Sequence, residues 1–422
     1  MISVEQALDL ILSNISVLQE EEIPILESLG QVLAEDIYSN INVPPKDNSA
    51  LDGYALRYED IIGASQSNPK YLKVIGMVIA GAIPNRKVEK GIAIRIMTGA
   101  TMPEGADCVI GFEDTDENQQ ALCSSTIPKI IGVMVEEEFG ANIRKTGESI
   151  SKGALVLSKG TVIRPGVIGV LASLGISRIK VIRRPVVAIV ATGNEVTSIN
   201  EDLKEGKIYN SNSYSVSAQI MRDGGIPKML GIARDNAFSI VNKIRKASDA
   251  DILITIGGVS MGDYDIVKDV LSKQGEIVFW KVRSKPGKPL AFGKIKSQEN
   301  GSYIPHLGLA GNAVSCMVNY ELFVRPAILK MMGITNLEKP TIEAIMEDSI
   351  SNKDGRRVFA RVIVSQRDNT YYAKLTGPQG SGILTSMSLA NGLAIVPEDV
   401  SKIKTGDKLK VMMLDWYQDF HD

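Results

Sequence analysis

Val4, Leu8, Ile11 and Ile15 recur at spacings of three and four, and Ser3 stands three positions ahead of Gln6. That is the pattern of an amphipathic helix opened by a capping box, in which two side chains serve each other's backbone donors. From about residue 40 to 150 the texture changes. Short β-like runs such as "YLKVIGMVIAG", "GIAIRIM" and "CVIGFED" are broken by Gly, Pro and Asn, which predicts a small, mostly β domain. "GESISKGALVLSKGTVIRPG" reads as another β segment and "VIGVLASLGI" as a short packed helix.

Past "RRP" at 183–185 the pattern becomes regular. Apolar runs at 186–191, 228–233, 252–256, 277–283, 289–294 and 303–308 predict strands. Amphipathic stretches near 213–222, 237–247, 265–273 and 313–331 predict helices between several of them. Strands alternating with helices give a mostly parallel sheet covered on both faces. After "MMGITNLEKP" the chain is strand-rich again, through "GRRVFARVIVSQ", "YYAKL", "GLAIVP" and "KLKVMML". The expected fold class is therefore α/β multidomain: a central three-layer α/β domain with a mostly parallel sheet, an inserted mostly-β domain, and a C-terminal small β-barrel domain.

Composition narrows the function classes. At 422 residues the chain should hold roughly two to four domains. With 47 basic against 49 acidic residues the net charge is −2, so no general attraction to nucleic acid or to an anionic membrane is expected. "MISVEQALDL" lacks the basic and apolar regions of a signal peptide, and "GVIGVLASLGI" is too short to span a bilayer. Three isolated cysteines, Cys108, Cys123 and Cys316, argue for a reducing cytoplasm and against structural zinc. The two histidines, His306 and His421, leave acid–base or metal chemistry to carboxylates, lysines and backbone.

Candidate chemistry collects at predicted strand ends. "TIGGVSMGDYD" (255–265) follows a buried strand with Gly257, Gly258, Ser260, Asp263 and Asp265. Glycines there admit backbone N–H groups to an oxyanion, and the acids would require a divalent cation between them and that anion. A plain glycine-rich loop with helix-capping acids is the alternative. "VAIVATGNEV" repeats the pattern with Glu195, and "GIARDNA" places Asp235 either as a site acid or as an N-cap. "FWKVRSKPGKPLAFG" counters the acids. Lys281, Arg283 and Lys285 share one face of an extended chain, and Lys288 follows the Pro286–Gly287 turn; a lysine-guarded edge strand would look the same. "HLGLAGNAVS" carries Gly311 and Asn312 into a helix start suited to an anion, without dinucleotide spacing.

In order along nearly the whole chain run "SALDGYA", "IMTGATMPEGADCVI", "NIRKTGE", "ATGNEV", "GGVSMGDYD", "KPGKPLAFG", "GLAGNAVS" and "GPQGSG". This series resembles the molybdopterin molybdenumtransferase family, whose animal relative is the E domain of gephyrin. The resemblance implies magnesium-dependent insertion of molybdate (or tungstate) into adenylylated molybdopterin with release of AMP. It implies a discontinuous first domain of residues 1–45 with 150–183, a β-rich insertion at 46–149, an α/β domain at 184–330 similar to molybdopterin adenylyltransferases, and a C-terminal domain at 331–422. A cytoplasmic homodimer is implied, with the cleft between the α/β domain of one subunit and the amino-terminal part of its partner. Molybdopterin adenylyltransferase and molybdoenzyme apoproteins are implied as further partners.

Carried over by motif, the functional acids are Asp52, Glu195, Asp235 and Asp265, with Asp52, Asp235 and Asp265 as magnesium ligands. Lys281 and Lys285 are the functional basic residues, set to neutralise phosphate and the incoming oxyanion, Arg144 and Arg361 further anion contacts, and Thr98 and Ser381 hydroxyl positions. Three departures stand out: Ala310 and Ala313 replace the prolines of a "PGNP" turn, Ser149 replaces the acid of "GED", and Asn194 the first acid of "TGDE". They leave a second reading open, a non-catalytic scaffold or pterin carrier of the gephyrin E-domain type. A third, adenylyl transfer by the α/β domain itself, would consume ATP.

Overall fold

The computed structural model describes residues 1–117, 127–259, 273, 275–296, 301 and 303–414. The chain forms two compact units, one of Met1–Ile23, Gly30–Ala34 and Lys180–Asp422, the other of Pro24–Leu29 and Glu35–Ile179.

The larger unit is built on a six-stranded sheet. Ile226–Ala233, Val186–Thr192, Ile252–Ile256 and Tyr303–Leu309 lie side by side in parallel, and Pro289–Lys296 and Gly275–Lys281 extend the sheet antiparallel. Alternation along the strands sorts their side chains between two apolar layers. Val187, Ile189, Ile252 and Ile254 pack with Val216 and Ile220 of the Ser211–Arg222 helix. Ala188, Val190 and Leu253 pack with Ile240 and Ile244 of the Ala237–Arg245 helix. The predicted three layers are present. The predicted helix at 265–273 lies outside the described residues except for Lys273.

The capping box forms as expected: Gln6 donates its backbone N–H to Ser3 Oγ, and Ser3 donates to Gln6 Oε1, both at 3.0 Å. The Val4–Leu12 helix it opens falls in the larger unit, with Lys180–Asp422. Its buried face (Val4, Ala7, Ile11) enters the α/β core, and Lys330 Nζ donates to Leu12 O at 2.7 Å. The predicted helix at 313–331 is Ala313–Asn319, a π-turn at Tyr320–Val324, and Arg325–Met331. The π-turn buries Glu321 against Gln219, Arg222 and Lys339, at 2.7, 2.7 and 3.0 Å. Burial alone would raise the Glu321 carboxyl, but Lys339 and Arg222 outweigh it and hold it below the ordinary carboxylate range.

Beyond that network Arg357–Arg367, Thr370–Leu375, Thr341–Met346, Lys408–Met413 and Gly392–Val396 pair in succession, and the last pairs back to the first. A five-stranded sheet closed on itself has no free edge among these strands. The smaller unit carries a second five-stranded sheet, ordered Cys108–Gly111, Gly53–Leu56, Ile92–Ile96, Lys70–Val78 and Ile130–Val133. Tyr54 and Leu56 enter one of its apolar clusters and Ala55 the other. The packed helix expected within 167–176 is Pro165–Ser173, with proline at its first turn.

Candidate active site

The parallel strands of the α/β sheet run to the same edge, and the chain leaves each through a short loop. Those loops line a cleft of about 640 Å³ with Gly193 and Glu195, Asp235, Gly257 and Gly258, and Gly311 and Asn312 among its walls. At Gly257 the geometry requires a glycine. Gly257 has φ +90°, and a Cβ there would stand 2.8 Å from Thr192 Oγ1. Thr192 in turn donates to Ile256 O at 3.1 Å, and Gly257 donates to Leu309 O at 3.0 Å. Backbone therefore packs on backbone where three strands end.

The acids are held in a definite way. Asn194 donates its backbone N–H to Asp235 Oδ2 at 2.9 Å, and Asp235 returns its own to Asn194 Oδ1 at 3.2 Å. This exchange clamps two strand-end loops together. The oxygen that Asn194 supplies is one an aspartate could also supply, so the departure from "TGDE" keeps the clamp and removes a charge. Asp235 is not the helix cap: Asn236 Oδ1 accepts from Ser239 N at 2.8 Å and does that work. Glu195 is exposed at the rim. Lys207 Nζ reaches Asn194 O at 2.6 Å and Arg234 Nη1 reaches Val196 O at 3.0 Å, which fixes the loop between the acids.

The expected cationic face is present as an alternation, with Lys281 and Arg283 exposed and Val282 and Ser284 buried. It is not one strand. The sheet strand ends at Lys281, and Ser284–Lys285 pairs with Arg357 and Val358 of the barrel. Lys285 Nζ lies 3.4 Å from Asp354 Oδ2. Of this segment Pro289 lines the cleft, and Lys281, Lys285 and Lys288 do not.

Arg361 departs most from expectation. Only 1% exposed, it donates to the carbonyls of Pro378, Gln379 and Gly380 at 3.0–3.2 Å and to Ser386 Oγ at 2.9 Å. It shapes the "GPQGSG" loop from beneath. Ser381 O accepts from Val314 N at 3.0 Å, so one amide of the helix start at "AGNAVS" is already taken. Gly382 and Leu384 of that loop reach the cleft.

Asp52, Thr98 and Arg144 belong to the smaller unit. Asp52 Oδ1 accepts from both Thr98 N and Thr98 Oγ1, at 2.6 and 2.8 Å, so that pair is assembled. Arg144 is exposed on a short strand opposite Asn48. The "RKTGES" turn is gathered by Asp47, which accepts from Thr146 N at 2.7 Å and pairs with Lys145 at 3.2 Å; Ser149 is exposed beside it.

Ser260, Asp263 and Asp265 lie outside the described residues. Among the described residues no group of three or more His, Cys, Asp or Glu side chains is placed to hold a metal ion. Asp235 and Glu195 offer hard oxygen donors of the kind magnesium takes. The sequence reading missed Tyr209, Asn210 and Asn212, which line the cleft, with Asn212 Nδ2 donating to Gly311 O at 2.7 Å. The run "YNSNS", an Asn-capped helix start behind a short apolar pair, was the available signal.

A mostly parallel sheet with acid-bearing glycine loops at its carboxyl edge, joined to a closed barrel, places the protein among α/β folds, in which that edge is the usual place for a ligand. Residues 188–330 match the family described as "Probable molybdopterin binding domain". Residues 2–175 match the MoeA N-terminal region (domain I and II), and 343–414 the MoeA C-terminal region (domain IV). A molybdopterin molybdenumtransferase of Staphylococcus epidermidis is 35% identical over 98% of this chain and 95% of its own. One from Bacillus subtilis is 34% identical over 94% and 90%. The crystal structure of a molybdopterin biosynthesis MoeA protein from Pyrococcus horikosii matches with a TM-score of 0.80 at 33% identity, covering 99% of this chain and 100% of that one. The chain belongs to the molybdopterin molybdenumtransferase family, transferases of molybdenum cofactor biosynthesis.

Proposed function

We propose that the protein inserts molybdate, or tungstate, into the dithiolene of adenylylated molybdopterin in the presence of magnesium, with release of AMP. The observation that carries this reading is the clamped Asn194–Asp235 pair in a cleft whose other walls are glycine-rich strand ends. Asp52, Asp235 and Asp265 would hold magnesium, with Glu195 as a further acid of the site. Bound magnesium supplies charge neutralisation at phosphate oxygens. The backbone around Gly257, Gly258 and Gly311 lets a phosphate approach closely. Lys281, Lys285 and Lys288, on the segment that reaches the cleft through Pro289, would neutralise charge on the departing phosphate and on the incoming oxyanion. The functional unit is a cytoplasmic C₂ homodimer.

The test is direct. Purified protein is incubated with adenylylated molybdopterin, magnesium and either oxyanion, and AMP is measured by chromatography. Oxyanion-dependent AMP is expected; pterin-nucleotide binding with no AMP under either oxyanion would leave a scaffold or carrier.

A further inference from the structure

We propose that Asn319 is a positioning residue for the lysine-bearing turn at 285–289, and through it for oxyanion binding. The inference rests on the reading of Lys285 and Lys288 as oxyanion contacts.

Asn319 ends the helix that begins at the cleft with Asn312 and Ala313, and it is fully buried. Its Nδ2 donates to Pro289 O at 3.0 Å, and Pro289 is the residue of the turn that lines the cleft. Its Oδ1 is buried without a hydrogen-bond partner among the described residues and lies against the Cα side of Gly287, whose φ is +93°; a Cβ at Gly287 would overlap it. The turn is tied at its other points by Ser284 Oγ, which donates to Gly287 O at 2.9 Å, and by Val282 N, which donates to Lys288 O at 2.8 Å. One helix thus sets the cleft wall at its first residue and the floor of the lysine turn at its last. A residue that only filled space here would be apolar, because a buried amide oxygen left unpaired is costly. What the amide adds is a directed hold on Pro289 and a surface that only a glycine can approach.

Full-length wild type, Asn319→Ala, Lys285→Ala and the double variant are compared by steady-state AMP release against molybdate concentration. Asn319→Ala is expected to raise the KM for molybdate by about tenfold or more, the scale of a displaced positioning group, with a smaller change in kcat. In the double variant the two effects should be less than additive, because both act through one turn. Gly287→Ala, which pushes the turn off Asn319, should reproduce the KM effect and carries the test if Asn319→Ala does not fold. A folded Asn319→Ala with unchanged KM, or effects that add fully, overturns the inference. If Lys285→Ala itself leaves molybdate dependence unchanged, the reading of the lysines fails first, and the inference with it.

Discussion

An aspartate one residue ahead of a helix can serve the helix or the site, and at 235 the helix is already served by Asn236. Asp235→Asn keeps an oxygen for the Asn194 N–H and removes only the charge. AMP release should then fall by about 10²–10³, the scale of a lost electrostatic contact, with little change in melting temperature. A destabilised variant of normal turnover would return Asp235 to a purely local role. His306 has no place in the proposed chemistry but should dominate one pH response. It is fully buried with Nε2 2.9 Å from Thr255 Oγ1, and burial pushes its pKa down to about 3. Its unfolded pKa is about 6.5, so between those values only the unfolded chain takes up the proton. Stability from this residue is complete above that unfolded value and is lost as pH falls from there towards 3. Urea unfolding of wild type and His306→Gln between pH 7 and 4 should differ in slope by about 1.4 kcal/mol per pH unit; parallel slopes would show that the imidazole is protonated within the folded protein. At this scale the sequence exposed which residues stand at strand ends, since the motifs are local. It did not show that Asn236 outcompetes Asp235 as cap, that Arg361 turns inward to three carbonyls, or that Asn319 lies beneath a turn thirty positions upstream in sequence. Those depend on contacts between distant segments.

The strands of the α/β sheet were legible because burial on both faces leaves apolar runs with little else in them. The destination of the first helix was not, because an amphipathic face specifies that something covers it and not what does. Its apolar stripe fits the α/β core as well as any other. The helix start at 313 offers a test of how such elements are tuned. Ala313 occupies the first helical position, where a proline loses no helical hydrogen bond, and Asn312 before it has φ −68° and ψ 128°, the extended region a proline demands of its predecessor. Ala313→Pro should therefore stabilise the protein by about 0.4–1 kcal/mol through the unfolded chain. Thermal or urea unfolding checks this. A destabilised variant would mean that the Ala313 N–H has a partner that the helix start needs.

Asp52 with Thr98 belongs to one compact unit and Asp235 to the other, so the whole molecule must settle whether both acids serve one reaction, and from how many chains. In the proposed homodimer one catalytic site takes Asp235 from one subunit and Asp52 from its partner. Two inactive variants then become informative together. Asp52→Asn and Asp235→Asn homodimers each have both sites damaged. When the two are mixed and their subunits exchanged, about half the dimers carry one variant of each kind under twofold symmetry. In such a dimer one site collects both substitutions and the other collects none. AMP release should recover to about a quarter of the wild-type level per subunit, because half the dimers each regain one of two sites. If both acids act within a single chain, every site keeps one substitution and nothing is recovered. A control in which Asp235→Asn is mixed with Lys285→Ala should show no recovery, since both residues lie in the same unit. Recovery in the first mixture and silence in the control would establish a site shared across the twofold axis; silence in both, after subunit exchange has been verified by mass, would confine catalysis to one chain.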